Sequence, residues 1–296
     1  MPGTPWLSRF DRRALYCPVR PEPTSIKIMI VGSGSLARAA AVVLLAAAFT
    51  VSGHAQQDPR ASRHVALETF TDDRVASLIH KLDRDLAPLT DPATWGDGAR
   101  FPLWDFARTL QAGQLTASQA AQIRAHLEAI AGAHPRDADL VARSQHMLDA
   151  LSPGHVAPEI VGRDLDGRTL KLSDFRGKVV VLVFSGNWCG ICRSNYPYER
   201  RLLELFKGRP FAIVGVNSDA DPAAAQRAQE GQGLTFRSWW DGTGAKPTDG
   251  PIASAWNVVG WPTVYVIDVN GVIRFVDLHQ DDLLAGVGQL LSSDPQ

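Results

Sequence analysis

An apolar run from Val179 to Phe184 stops at a short polar turn and leads into Trp188-Cys189-Gly190-Ile191-Cys192, after which residues fall at helical spacing. That order constrains the fold more than anything else in the chain. An unbroken apolar run fits a strand buried on both faces, as inside a parallel sheet. The Cys-x-x-Cys then stands at a strand-to-helix turn, with both sulfurs on one face of the first helical turn. Unpaired N–H groups and the helix dipole stabilise a thiolate there, so the pair can open and close a disulfide. Two inert core cysteines or half of a zinc site are the competing readings. Zinc takes about four ligands, usually with a second Cys or His pair, and the chain has no second Cys-x-x-Cys. Redox chemistry is the reading, with no metal and no other cofactor implied.

The remaining cysteine, Cys17, precedes a secretory-type segment. Lys27 and Arg38 lie on its N-terminal side, Ala39 to Val51 is apolar, and Gly53-His54-Ala55 is a small-x-small cleavage site before Gln56. The apolar part is shorter than the roughly 20 residues a membrane helix needs. Residues 1–55 therefore read as a leader with a cleaved signal peptide, and an uncleaved N-terminal membrane anchor is the alternative. Cleavage after Ala55 leaves Cys189 and Cys192 as the mature protein's cysteines, in a periplasmic or secreted setting. One vicinal pair is not a structural disulfide framework. The leader holds six Lys/Arg and two Asp/Glu, so the mature chain carries 24 basic against 29 acidic residues, a net −5. That balance argues against nucleic acid and against a polybasic membrane surface.

Two patterns divide the mature chain. Across 64–151 the spacing is helical: Val75, Leu78, Ile79, Leu82 and Leu86 share a face. Thr116 and Gln119 have capping-box spacing ahead of Ile123, Leu127 and Ile130. Asp137 is positioned to cap a helix carrying Leu140, Met147, Leu148 and Leu151. Phe101, Trp104, Phe106 and Leu110 read as core aromatics and apolars of a shorter helix, and no catalytic constellation is visible in this half. Leu151-Ser152-Pro153-Gly154 reads as a linker. Beyond it, Asp166-Gly167 before Thr169 to Leu172 signals a hairpin, Phe211 to Val216 a second buried parallel strand, and Asn270-Gly271 a terminal hairpin. Residues 189–207 read as a helix interrupted at Pro197, and Leu283 to Leu291 as a closing helix. The expected fold class is α/β, a mixed sheet flanked by helices over 155–296, preceded by a small all-α domain over 64–151.

The 155–291 region resembles the thioredoxin superfamily, in particular extracytoplasmic thioredoxins of the TlpA/ResA type. Ala157-Pro158-Glu159-Ile160 resembles the opening strand motif, and Leu172 to Lys178 the lead into the central strand. Trp188 to Cys192 matches the active site, Gly260-Trp261-Pro262-Thr263 the loop with a cis-proline, and Val266-Ile267-Asp268 with Asn270-Gly271 the terminal hairpin. The resemblance does not cover 64–151. Two departures stand out. Asn195 occupies the place, three residues after the second cysteine, where the family commonly has a glutamate. Val183 occupies the place of the buried acid of cytoplasmic thioredoxins.

The resemblance implies a thiol-disulfide oxidoreductase that exchanges a Cys189–Cys192 disulfide with protein substrates. Cys189 would attack and Cys192 resolve. Trp261 and Pro262 would receive an extended substrate segment, and Trp188 would shield the disulfide. Trp239, Trp240 and Trp256 read as core or loop packing. The implied partners are disulfide-containing extracytoplasmic proteins and a membrane electron donor, with the protein acting as reductant. The Gly190-Ile191 dipeptide, which lacks the proline common in reducing thioredoxins, pulls the other way. A peroxiredoxin-like peroxidase would need a threonine where Gly186 stands. Copper delivery would need one more residue between the cysteines, although His279 is a distal histidine. A last alternative makes 64–151 a partner-binding module tethered to a redox domain.

Overall fold

The computed structural model describes residues 58–242 and 246–293, which lie within one unit, Gly53–Gln296; the leader and signal-peptide reading of 1–55 falls outside them. In chain order the described elements begin with β1 (Glu68–Thr69), α1 (Asp72–Leu86), α2 (Trp95–Gln111), β2 (Gly113–Gln114), α3 (Ala117–Ala133) and α4 (Ala138–Ala150). Then come β3 (Val161–Arg163), β4 (Thr169–Lys171), β5 (Val179–Ser185), α5 (Gly190–Leu205), β6 (Phe211–Asn217), α6 (Pro222–Gly231) and β7 (Ser238–Trp240). The chain closes with α7 (Pro251–Ala255), β8 (Thr263–Ile267), β9 (Ile273–Val276) and α8 (Gln280–Ser293).

The helical segment forms as its spacing predicts. The Thr71 hydroxyl accepts from the Arg74 N–H and opens α1, with Asp72 and Asp73 favourably placed at the positive end of the helix dipole. At α3 the capping box is complete: the Thr116 hydroxyl accepts from the Gln119 N–H at 3.2 Å, and the Gln119 side chain accepts from the Thr116 N–H at 2.9 Å. Asp137 is the N-cap residue of α4 but makes no side-chain cap bond. The one non-helical feature is the two-residue parallel pairing of β1 with β2. Two expectations need correction. Helix α2 is long, not short, and continues through Pro102. Phe101 is 57 % exposed, because it projects from the side of α2 opposite the helical core.

Five strands form the main sheet in the order β7-β6-β5-β8-β9, with β5, β6 and β7 parallel and β8 and β9 antiparallel to their neighbours. The hairpin β3–β4 pairs apart from it. Strand β7 was not anticipated: Trp239 and Trp240 belong to a three-residue edge strand, too short to give a strand period. Alternate residues of β5 serve two cores. Val179, Val181 and Val183 pack with Leu202 and Phe206 of the α5 region and with Leu283, Leu284 and Val287 of α8. Val180, Leu182 and Phe184 face the other way, toward Leu170, Trp239, Trp256 and Tyr265. Burying each such side chain contributes about 1.5–3 kcal/mol, so a one-residue slip of register would forfeit both cores.

Packing continues across the boundary that the sequence marks at 151–154. Trp104 and Ala107 of α2, Met147 of α4 and Leu151 lie in the same core as Leu182 and Phe184. Leu103, Phe106 and Leu110 of α2 instead join Val75, Leu82, Ile123 and Leu127 in the helical core. Helix α2 thus has two apolar faces. The linker itself is tied to β9: the Gly154 N–H donates to the Ile273 carbonyl at 2.8 Å, the Ile273 N–H to His155 at 2.9 Å, and the Ala157 N–H to Gly271 at 2.9 Å. Helix α5 runs unbroken through Pro197, where the sequence suggested an interruption. Among the described residues no helix is long and apolar enough to cross a membrane.

Candidate functional site

Strand β5 ends at Ser185, and the turn Gly186-Asn187-Trp188 delivers Cys189 to the start of α5. The Cys189 N–H donates to the Gly186 carbonyl at 3.0 Å, closing the turn. Cys189 is the N-cap residue of α5, and its sulfur accepts from the Cys192 N–H at 3.1 Å. The two cysteines form a disulfide with Cα atoms 5.2 Å apart. Cys189 is 7 % exposed and Cys192 1 %, so Cys189 is the more accessible sulfur of the pair.

The loop before β8 faces this pair. The Trp261 carbonyl lies 3.8 Å from the Cys189 sulfur, and the Trp261–Pro262 bond is cis. In the disulfide that sulfur has no hydrogen to donate, whereas a reduced thiol at the same place can donate to the carbonyl. The Thr263 hydroxyl closes the loop on the Gly260 carbonyl at 2.9 Å. The Trp188 and Trp261 rings meet edge-on at 5.7 Å. Pro262 is buried, while Trp188 is 49 % and Ile191 68 % exposed, giving the approach to Cys189 an apolar rim. The structure thus brings Cys189, Cys192, Trp188, Trp261 and Pro262 together at one end of the sheet.

Sequence reasoning missed the loop after β6. The Asp219 carboxylate accepts from the Asn187 N–H at 3.0 Å and the Trp188 N–H at 3.3 Å, fixing the turn that precedes Cys189. The Asn217 amide donates to the same carboxylate at 2.9 Å, and the Trp240 indole N–H donates to the Asp219 carbonyl at 2.8 Å. Ser218 accepts from the Trp188 indole N–H at 3.3 Å. The available signal was position: Asn217-Ser218-Asp219 follows the carboxyl end of a parallel strand beside the one that leads to the cysteines, where open α/β sheets place their sites.

The two departures from the family pattern take physical form. Asn195 is half-buried on α5, one turn past Cys192, and Val183 is buried in β5. A carboxyl occurs elsewhere on the same helix. Glu199 shares the buried face with Cys192, Tyr196 and Leu202, and burial pushes its carboxyl up to about 7, with Arg200 opposing. The Tyr196 hydroxyl is pushed up to about 12, first by burial and then by the Glu199 and Asp219 charges. His279 is half-buried beside Asp277 and Arg108, with burial lowering its pKa.

The redoxin family model matches residues 152–291. The thiol-disulfide oxidoreductase ResA of Geobacillus kaustophilus is 34 % identical over 125 residues, covering 42 % of this chain and 68 % of that protein. ResA of Bacillus subtilis is 31 % identical over 125 residues, covering 42 % and 66 %. Among solved structures, the thioredoxin domain of a thiol-disulfide oxidoreductase from Bacteroides vulgatus aligns at 30 % identity with a TM-score of 0.43, over 48 % of this chain and 99 % of that one. The sheet, the strand-to-helix cysteine pair and the ResA relatives define an oxidoreductase of the thioredoxin superfamily. Within it the chain belongs to the redoxins of the TlpA/ResA-like kind, and its enzymatic class is thiol-disulfide oxidoreductase. The redoxin match starts at residue 152 and leaves α1 to α4 outside it.

Proposed function

We propose that the protein is an extracytoplasmic reductant of protein disulfides, with Cys189 as attacking thiol and Cys192 as resolving thiol. The observation that carries this reading is the placement of Cys189 as N-cap residue of α5, more exposed than Cys192 and against the Trp261 carbonyl. In the reduced protein, the Cys189 thiolate attacks one sulfur of a substrate disulfide. The Cys189–substrate bond forms as the substrate S–S bond breaks, and the leaving sulfur takes up a proton. Cys192 then loses its proton and attacks the Cys189 sulfur, releasing the second substrate thiol and closing the Cys189–Cys192 disulfide. Two electrons pass to the substrate, and a dithiol donor, membrane-bound in this reading, must return them. Trp188 and Ile191 offer apolar contact beside Cys189, while the backbone of Trp261 and the Pro262 shelf offer a place for an extended segment of the substrate. The export reading rests on the apolar segment Ala39–Val51 and the Gly53-His54-Ala55 site in the sequence.

The test uses two serine variants in an insulin-reduction assay and in periplasmic extract. Cys192→Ser should attack but not resolve, accumulating mixed disulfides on Cys189 with exported proteins. Cys189→Ser should neither reduce insulin nor trap partners. Stable adducts on Cys189→Ser, or alkylation of Cys192 first at neutral pH, would reverse the roles.

A further inference from the structure

Helix α2 lies outside the region that matches the redoxins, yet it touches the loop opposite the disulfide directly at one end and reaches its other end through Asp277. The direct contact is at Gly260. A Cβ on this residue would lie 2.5 Å from Cη2 of Trp104 and 3.1 and 3.2 Å from two further ring carbons. The backbone just before Trp261 therefore rests directly on the Trp104 indole, at a distance that only glycine allows. The indirect link is at Val264, just beyond the loop. Its N–H donates to the Asp277 carboxylate at 3.1 Å, and its carbonyl accepts from the Asp277 N–H at 2.7 Å. The same carboxylate is paired with Arg108. Trp104 and Arg108 are four residues apart and so share one face of α2. One helix face thus holds both ends of the segment that carries Trp261 and Pro262.

Trp104 is well placed to act as a fixed support. It is 3 % exposed, packs against Phe101 at 5.6 Å between ring centres, and carries the Arg108 guanidinium 4.7 Å above its own ring. Its core partners include Phe184 and Leu182 of β5, the strand that delivers Cys189. The surface that locates the loop is therefore continuous with the surface that locates the cysteines.

We infer that the α2 face formed by Trp104 and Arg108 sets the position of the Gly260–Thr263 loop against Cys189, making both positioning residues for protein-substrate docking. The inference rests on the proposed role of that loop and assigns a task to the helical segment. A support of this kind acts on binding of an extended substrate, not on the sulfur chemistry, so its loss falls on KM.

Steady-state insulin reduction by the full-length protein tests it. Gly260→Ala places a methyl group against the indole and should raise KM for insulin about tenfold, with kcat held within about twofold. Combining Gly260→Ala with Trp104→Phe makes room for the methyl and should bring KM back to within about threefold of wild type. Arg108→Gln leaves the loop sequence intact and should raise KM about threefold. An unchanged KM in Gly260→Ala, a double variant no better than the single, or a fall confined to kcat would overturn the inference. If the wild-type protein itself failed to reduce insulin, the proposed function would fall instead.

Discussion

Glu199 offers a quantitative test of the packing under the active-site helix. It sits two turns past Cys192 on the buried face of α5, is 3 % exposed, and titrates near 7 because burial disfavours its charged form. Its ordinary value is 4.5. The folded state therefore holds a proton that the unfolded chain has already released between those two values. A raised folded pKa means stability that is fully present below pH 4.5 and is lost as pH rises through 7. At 1.36 kcal/mol per pH unit, the whole loss is about 3 kcal/mol, of which roughly 2.5 kcal/mol falls between pH 5 and pH 8. Glu199→Gln removes the titration and keeps the size of the side chain. Urea unfolding of both proteins in the oxidised form isolates the effect, because disulfide-bonded cysteines do not titrate. The stability of the variant relative to wild type should grow by roughly 2.5 kcal/mol from pH 5 to pH 8. With a slope near 2.5 kcal/mol per molar urea, that is about 1 M in relative midpoint. Any cost of burying the amide is independent of pH and cancels. A gap that stays constant across this range would show that Glu199 does not titrate there and that the burial argument is wrong.

Asn195→Glu places a titrating group one turn past Cys192, so the pH profile of Cys189 alkylation should gain a second titration between pH 5 and 8; an unchanged profile would show that this position does not sense the active site. The 152–296 fragment retains the sheet, α5 and α8, and should fold. It should unfold at lower urea than the 58–296 protein, because it lacks Trp104, Ala107, Met147 and Leu151 from the core behind β5. Equal midpoints would mean that those residues add nothing to the sheet.

Much of this protein was legible before any coordinates. The run Val179–Phe184 reads as a buried strand, and the Cys189/Cys192 spacing as the first turn of a following helix, because both features are local. The Thr116–Gln119 cap and the Asn270-Gly271 turn are equally local, and both formed as read. Helical periodicity in α1 and α3 picked out their buried residues, since a 3.6-residue repeat maps directly onto one face.

What the sequence could not specify were relations between distant segments. Trp239 and Trp240 do not announce a strand, because three residues carry too little period; pairing with β6 makes them one. Asp219 looks like any loop acid until the fold brings it under the Asn187 and Trp188 N–H groups. Glu199 reads as an ordinary charged helix residue, and only packing against the sheet turns its burial into a raised pKa. The linker at 151–154 separates two patterns of periodicity, yet the packing runs across it. Helix α2 has two apolar faces, and only packing separates Trp104 and Ala107 on one from Leu103, Phe106 and Leu110 on the other. Local hydrogen bonding and side-chain period fixed the elements and the cysteine pair. Long-range burial, which depends on which surfaces meet in three dimensions, decided that α2 lies beneath the loop opposite Cys189.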